Sequence, residues 1–191
     1  NSMKGNTQAN TQAEVRRFRQ LEVGEYVANS SDTADATEAG RIFLEAYFDL
    51  TSKLETAQTA EEIEQLAARA LAISSDPTVR IYSARHKFNL GRLIESQQMV
   101  EDVLEAESGR LPPTTRFIAD TMYLSDFQSP NGNVSGSSHS SAITNFIESS
   151  REFQTVLKAH PEGLAFASDM YRSVWTSLGD GGREQLLKSL F

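Results

Sequence analysis

Asp76-Pro77-Thr78-Val79-Arg80-Ile81-Tyr82-Ser83-Ala84-Arg85-His86-Lys87-Phe88-Asn89-Leu90-Gly91-Arg92-Leu93-Ile94-Glu95-Ser96 decides the fold. It opens with an acidic N-cap and a proline at the first helical position, where the missing N–H removes no hydrogen bond. Val79, Ile81, Tyr82, Ala84, Phe88 and Leu90 supply the apolar residues of a helix. Gly91 stands where a left-handed residue would close it. Leu93, Ile94, Val100, Val103 and Leu104 start a partner helix almost at once, ending near Ser108-Gly109. Two helices joined by so short a turn must lie antiparallel.

Working outward, the same punctuation recurs. Thr59-Ala-Glu-Glu62 reads as a capping box, in which the Thr59 hydroxyl accepts from the amide three residues on. The helix it opens carries Ile63, Leu66, Ala67, Ala70, Leu71 and Ile73 and stops near Ser74. Before it, a helix from about 35 to 56 places Ile42, Phe43, Ala46, Tyr47, Leu50 and Leu54 on one stripe. Val15, Phe18, Leu21, Val23, Tyr26 and Val27 form an earlier amphipathic helix interrupted by Gly24, and residues 29–35 form a loop. Residues 1–13 are polar and without apolar period, which predicts a disordered arm or a tag remnant.

Downstream, Pro112-Pro113 opens a helix with Phe117, Ile118, Ala119, Met122 and Tyr123. Residues 128–141 (Gln-Ser-Pro-Asn-Gly-Asn-Val-Ser-Gly-Ser-Ser-His-Ser-Ser) then predict a polar loop, long for a helical domain. Helices resume over about 142–159 and 162–178, and Arg183–Phe191 make a short final one. No run alternates apolar and polar residues as a half-buried strand would. The expected fold is all-α, about 8–9 helices, with residues 14–191 as a single domain carrying the 128–141 insertion.

Pro77 and Pro112 stand 35 residues apart, a period of stacked helical hairpins. Ala84-Arg-His-Lys-Phe-Asn-Leu-Gly-Arg-Leu-Ile-Glu-Ser96 resembles the mid-repeat turn of a tetratricopeptide repeat. Ala60-Glu-Glu-Ile-Glu-Gln-Leu-Ala-Ala-Arg-Ala-Leu-Ala-Ile-Ser-Ser-Asp-Pro77 is similar to the second helix of such a repeat, and Ser177-Leu-Gly-Asp180 repeats the turn. Arg80 and Lys87 occupy two places where the family's tryptophan–tyrosine pattern would stand. The resemblance implies a short right-handed solenoid of antiparallel hairpins whose first helices line a concave groove for peptides or helices. Projected onto this chain, that groove would be lined by Ile81, Arg85, Phe88, Asn89, Arg116, Asp120, Tyr123, Phe166 and Asp169. Arg85, Asn89 and Arg116 would form a basic, amide-lined floor able to grip a carboxylate.

The remaining residues narrow the function classes. A net charge of −8 disfavours nucleic acid and anionic membrane as partners. The absence of cysteine excludes disulfides and thiolate metal sites. No stretch approaches the roughly 20 apolar residues of a membrane span. His86, His139 and His160 form no His-Glu-x-x-His pair, so no metal site or cofactor is expected, and surface or capping roles are expected for the three. Gly132-Asn-Val-Ser-Gly136 lacks the lysine of a phosphate loop. Arg16-Arg17-Phe18-Arg19 is the one basic cluster, read either as contact with an acidic partner or as a solvated helix face. Trp175 with Tyr171 reads as core. Glu61, Glu62, Glu64, Glu101, Asp102, Glu105 and Glu107 read as solubilising faces.

The leading expectation is a non-enzymatic interaction scaffold that docks a protein or peptide segment, with a homodimer as another use of the same surfaces. The competing readings are a helical domain of a bacterial envelope or secretion system, and an enzyme with its site on the 128–141 loop. Cytoplasm and bacterial periplasm are both compatible with the composition.

Overall fold

Three polar side chains start helices where their sequences say they should. In the computed structural model, which describes residues 2–52, 56–127 and 136–190 (side chains only from 11 and, in the last stretch, from 141), Thr33, Thr59 and Asp76 accept hydrogen bonds from the amides of Ala36, Glu62 and Thr78. Each satisfies an amide that the helix itself cannot pair. The elements are α1 (Ser2–Asn29), α2 (Ala34–Thr51), α3 (Ala60–Ile73), α4 (Pro77–Asn89), α5 (Leu93–Glu107), α6 (Pro113–Thr121), α7 (Gly136–Ala159), α8 (Leu164–Ser177) and α9 (Asp180–Leu190). The described residues contain no strand, and the fold is all-α.

The chain forms two compact units, residues 1–96 and 97–191, with the division inside α5. In the first unit α2 and α3 form a hairpin, α4 packs on both, and α1 lies on α2. Its core is aromatic. Phe43, Tyr47 and Phe48 of α2 meet Tyr82 of α4, with Phe48 edge-on to Tyr82 at 5.3 Å between centroids. Phe18 and Tyr26 of α1, Ile63 and Ala70 of α3, and Val79 and Ile81 of α4 complete it. Gly40 sets the approach of α1 to α2: a Cβ there would fall within the Tyr26 phenol. Glycine is required at that position because the phenol ring occupies the space of a side chain.

The two connections of this unit are tied together. The Asp32 carboxylate, between α1 and α2, accepts from the Ser75 amide at 3.1 Å and the Ser75 hydroxyl at 2.8 Å. It also accepts from the Ser74 hydroxyl. These hydrogen bonds outweigh partial desolvation, which pushes the other way, and hold the Asp32 pKa below its ordinary value. The α4–α5 turn is a Schellman closure. Gly91 has φ +82°, its amide reaches Phe88 O at 3.0 Å, and the Arg92 amide reaches Lys87 O at 2.9 Å.

In the second unit α6 and α7 form the main hairpin, with α8 against α6 and α9 against α7. Phe117 of α6 stacks on Phe153 of α7 at 4.5 Å and 9°, and Phe146 and Tyr171 pack around the same ring. α6 continues into a π-helical turn, Met122–Asp126, that buries Met122 and Leu124. Such a turn inserts a residue into the helical ladder and re-aims the side chains beyond it.

Several expectations need correction. α1 begins at Ser2, within the segment read as an arm: its Gln, Ala, Met and Lys residues favour helix even without an apolar period. α2 stops at Thr51, with Ile42 exposed and Leu44 and Phe48 buried, so its inward stripe is rotated from the expected one. Leu54 lies outside the described residues. The polar loop is shorter than read: residues 136–141 open α7, and residues 128–135 lie outside the described residues. Within the 14–191 span read as one domain, the chain forms the two compact units 1–96 and 97–191.

Candidate functional site

The nine groove residues fall on both units. Ile81, Arg85, Phe88 and Asn89 lie on α4 of the first. Arg116 and Asp120 lie on α6, Tyr123 on the π-helical turn, and Phe166 and Asp169 on α8 of the second. Burial removes two of them as direct contacts. Ile81 is fully buried, and Asp120 is 5% exposed. Arg116 does not offer the free basic floor expected of it. Its guanidinium lies 3.8 Å from Asp120, 3.5 Å from Glu148 and 3.6 Å from Glu152, so three carboxylates of its own unit surround it.

On α4 the arrangement is different. Residues Pro77–Ala84 and His86 face inward except for half-buried Arg80, whereas Arg85 and Phe88 are half-buried and Asn89 is exposed. The sequence then leaves the helix through the Gly91 turn, and Leu90, Leu93 and Ile94 follow at 38%, 51% and 85% exposure. Leu93 and Ile94, the first residues of the partner helix, stand in solvent. Val100 and Val103, about two and three turns later along α5, are buried. The turn is fixed by Ser96, whose hydroxyl donates to Ala84 O at 2.6 Å. Lys87 lies 3.2 Å from Glu95, and Arg92 pairs with Glu64. The outcome is a shoulder with an apolar tip and a charged flank, held by a rigid turn.

His86 is buried beneath this shoulder, against the expectation of a surface role. Its Nε2 lies 3.1 Å from Ala60 O, and desolvation by its surroundings lowers its pKa despite that bond. The ring is therefore neutral at pH 7 and donates from Nε2. Its edge meets the Tyr47 ring at 5.9 Å and 83°.

A cleft of about 910 Å³ opens between α1 and α2, lined by Gln12, Arg16, Arg19, Gln20, Val23, Glu45, Phe48, Asp49, Ser52 and Thr56. Its floor is a chain of contacts across three helices. Tyr82 Oη donates to Glu22 Oε1 at 2.6 Å, Glu22 Oε2 accepts from Arg19 at 2.7 Å, and the Arg19 guanidinium lies 4.6 Å from the Phe48 ring centroid. The i, i+4, i+8 spacing of Phe18, Glu22 and Tyr26 places all three on the buried side of α1. The sequence carried a signal for this site, the Arg16–Arg19 cluster. It gave no indication that Glu22, a lone acidic residue on a polar helix, would be buried as its counter-charge.

The second unit has a cavity of about 580 Å³ lined by Glu101, Leu104, Glu105, Asp120, Tyr123, Ser141, Ala142 and Asn145. Asp120 accepts from the Ser149 hydroxyl. Burial drives its pKa up to about 6, against the lowering influence of Ser149 and Arg116. Phe166 is half-buried beside Phe153, and Asp169 is exposed. Trp175, expected in the core with Tyr171, is 39% exposed, and the Arg183 guanidinium covers its ring at 5.2 Å.

The arrangement for nucleophilic or acid–base chemistry sought around the histidines is not assembled among the described residues. Among the described residues His160 has Glu162 as its carboxylate neighbour, at 3.6 Å, and the His139 side chain lies outside the described ones. No group of three metal-binding side chains is found among the described residues, and no described helix is long and apolar enough to cross a membrane. Comparison with family models, curated proteins and solved structures finds no match to this chain.

Proposed function

We propose that this chain is a non-catalytic protein-interaction module of stacked helical hairpins, divergent from but similar in plan to tetratricopeptide repeats, that docks a protein segment on the α4–α5 shoulder. The observation that carries this reading is the exposure of Ile94 at 85%, flanked by Leu90 and Leu93 on a turn that the Gly91 closure and the Ser96–Ala84 bond hold in place. Isolated exposed apolar residues are ordinary. Three such residues within five positions of the chain, rimmed by charge and led by the most exposed of the described large apolar side chains, have the character of a contact surface. Arg85, Phe88 and Asn89 on the last turns of α4 extend it with a guanidinium, a half-buried ring and an amide. The partner that fits is an amphipathic segment, apolar where it meets Leu93 and Ile94 and acidic where it meets Arg85.

The test is capture of partner from native extract by the immobilised chain, compared with Ile94→Asp and Arg85→Glu. Both side chains reach solvent, so the helical circular dichroism should persist. The reading requires that one and the same protein be captured by the native chain and lost from both variants. Equal capture by all three would overturn it.

A further inference from the structure

The α1–α2 cleft is separate from the shoulder, and its chemistry is more specific. The α1 wall presents Gln12, Arg16, Arg19 and Gln20, two guanidinium groups and two amides. The α2 wall presents Glu45 and Asp49, continued by Ser52 and Thr56, with Phe48 and Val23 as the apolar surface between the walls. Some of these charges are already committed. Glu45 is held by Arg41 at 2.7 Å, and Arg19 by Glu22 at 2.7 Å. Arg16 makes no ion pair among the described residues. Asp49 accepts one hydrogen bond there, from Thr56 at 3.2 Å. The cleft is thus dipolar, with an available cation on one wall and a lightly engaged anion on the other.

We infer that the cleft binds a short zwitterionic peptide, its C-terminal carboxylate on Arg16 and its N-terminal ammonium toward Asp49. Other ligand classes fit less well. A simple anion would meet the repulsion of Glu45 and Asp49, and a simple cation that of Arg16 and Arg19. A purely apolar molecule would leave the guanidinium and carboxylate groups without partners as it displaced their water. A dipolar ligand satisfies both walls. Guanidinium grips a terminal carboxylate through two parallel N–H bonds. The amides of Gln12 and Gln20 and the hydroxyls of Ser52 and Thr56 can donate and accept along a peptide backbone. A volume of about 910 Å³ lies within the range of sites for small organic ligands and accommodates a few residues. The floor is pre-organised. Arg19 is fixed between Glu22 and the Phe48 ring, and Glu22 is fixed by Tyr82, so these two need little ordering when ligand arrives, whereas exposed Arg16 is ordered by the carboxylate it grips.

The experiment is isothermal titration of the full chain with the tripeptide Gly-Leu-Phe, its C-terminal amide and its N-acetyl form. The free tripeptide should bind, and the amide should bind at least about tenfold more weakly, as expected from losing a charge-assisted bidentate contact. Arg16→Gln should lose the same factor for the free tripeptide and show no further loss for the amide. Asp49→Asn should reproduce the weakening caused by acetylation. Ile94→Asp should bind the tripeptide as the native chain does, so failure at the shoulder and failure at the cleft remain distinguishable. Equal affinity for acid and amide, unchanged binding by Arg16→Gln, or no heat with millimolar tripeptide would each overturn the assignment.

Discussion

A single methyl group separates Gly40 from a residue that the first unit cannot accommodate. The Tyr26 phenol occupies the place of a Cβ, and both residues are buried, so neither can move toward solvent. Gly40→Ala should destabilise the chain by about 1–3 kcal/mol, the usual range for overpacking a core. The gain in helix propensity, roughly 1 kcal/mol in alanine's favour, works against that loss and is smaller. Urea unfolding should show a lower midpoint with an unchanged slope; a midpoint equal to or above that of the native chain would show that Tyr26 can vacate its position. This requirement is not visible in the sequence, where nothing singles out Gly40 within the helix read over about 35–56. The same limit applies to Ile81, Asp120 and Arg116. Composition supplies a residue's chemistry, whereas rotation about the helix axis decides whether it meets a partner, a cavity or water. For Asp120 that rotation placed an acid beneath Ser149, and for Arg116 it placed a cation among three carboxylates.

Elements were read more successfully than side-chain directions, because their boundaries depend on local chemistry. Asp76-Pro77, Thr59 and Gly91 act where the sequence places them, since a cap needs only its own amide neighbours and a left-handed closure needs only a residue free of Cβ strain. Asp76→Ala should lose about 1 kcal/mol by removing the bond to the Thr78 amide at 2.9 Å, and Asp76→Asn should recover most of it. Gly91→Ala should lose about 1–2 kcal/mol through the strain of φ +82° in a residue with a side chain. Chemical denaturation of the three variants checks both expectations; an unaffected Gly91→Ala would mean that the turn can close in another way. Where no local signal marks a boundary, distant contacts set it. α1 has hardly any apolar period, and its helix was missed before residue 14 because what orders it in part is the contact of Phe18, Glu22 and Tyr26 with distant α2 and α4. The start of α7 at Gly136 lies in a serine-rich run whose composition reads as loop.

At the scale of the whole molecule, stability should follow pH through two carboxylates of opposite sign. Asp32 has a folded pKa below its ordinary value, so its contribution is complete above about pH 4, the unfolded range, and is lost as pH falls through the depressed folded value. Asp120 is raised to about 6, so its contribution is complete below about pH 4 and is lost as pH rises through 6. Above that, folding holds a carboxylate where burial disfavours its charge and the pull of Arg116 only partly offsets it. Asp120→Asn keeps the shape and a hydrogen bond to Ser149 while removing the ionisation. The variant should therefore gain on the native chain between pH 4.5 and pH 7.5 by on the order of 2 kcal/mol, most of it between pH 4.5 and pH 6.5. Asp32→Asn should show the reverse, with its deficit shrinking as acid protonates the native Asp32. Urea unfolding of the three chains from about pH 2.5 to about pH 7.5 separates the two effects, since Asp32 titrates below the ordinary carboxylate value and Asp120 above it. A constant difference between Asp120→Asn and the native chain at every pH would mean that the Asp120 carboxylate ionises in the folded chain as it does in the unfolded one, and that the cavity beside it is as wet as bulk solvent.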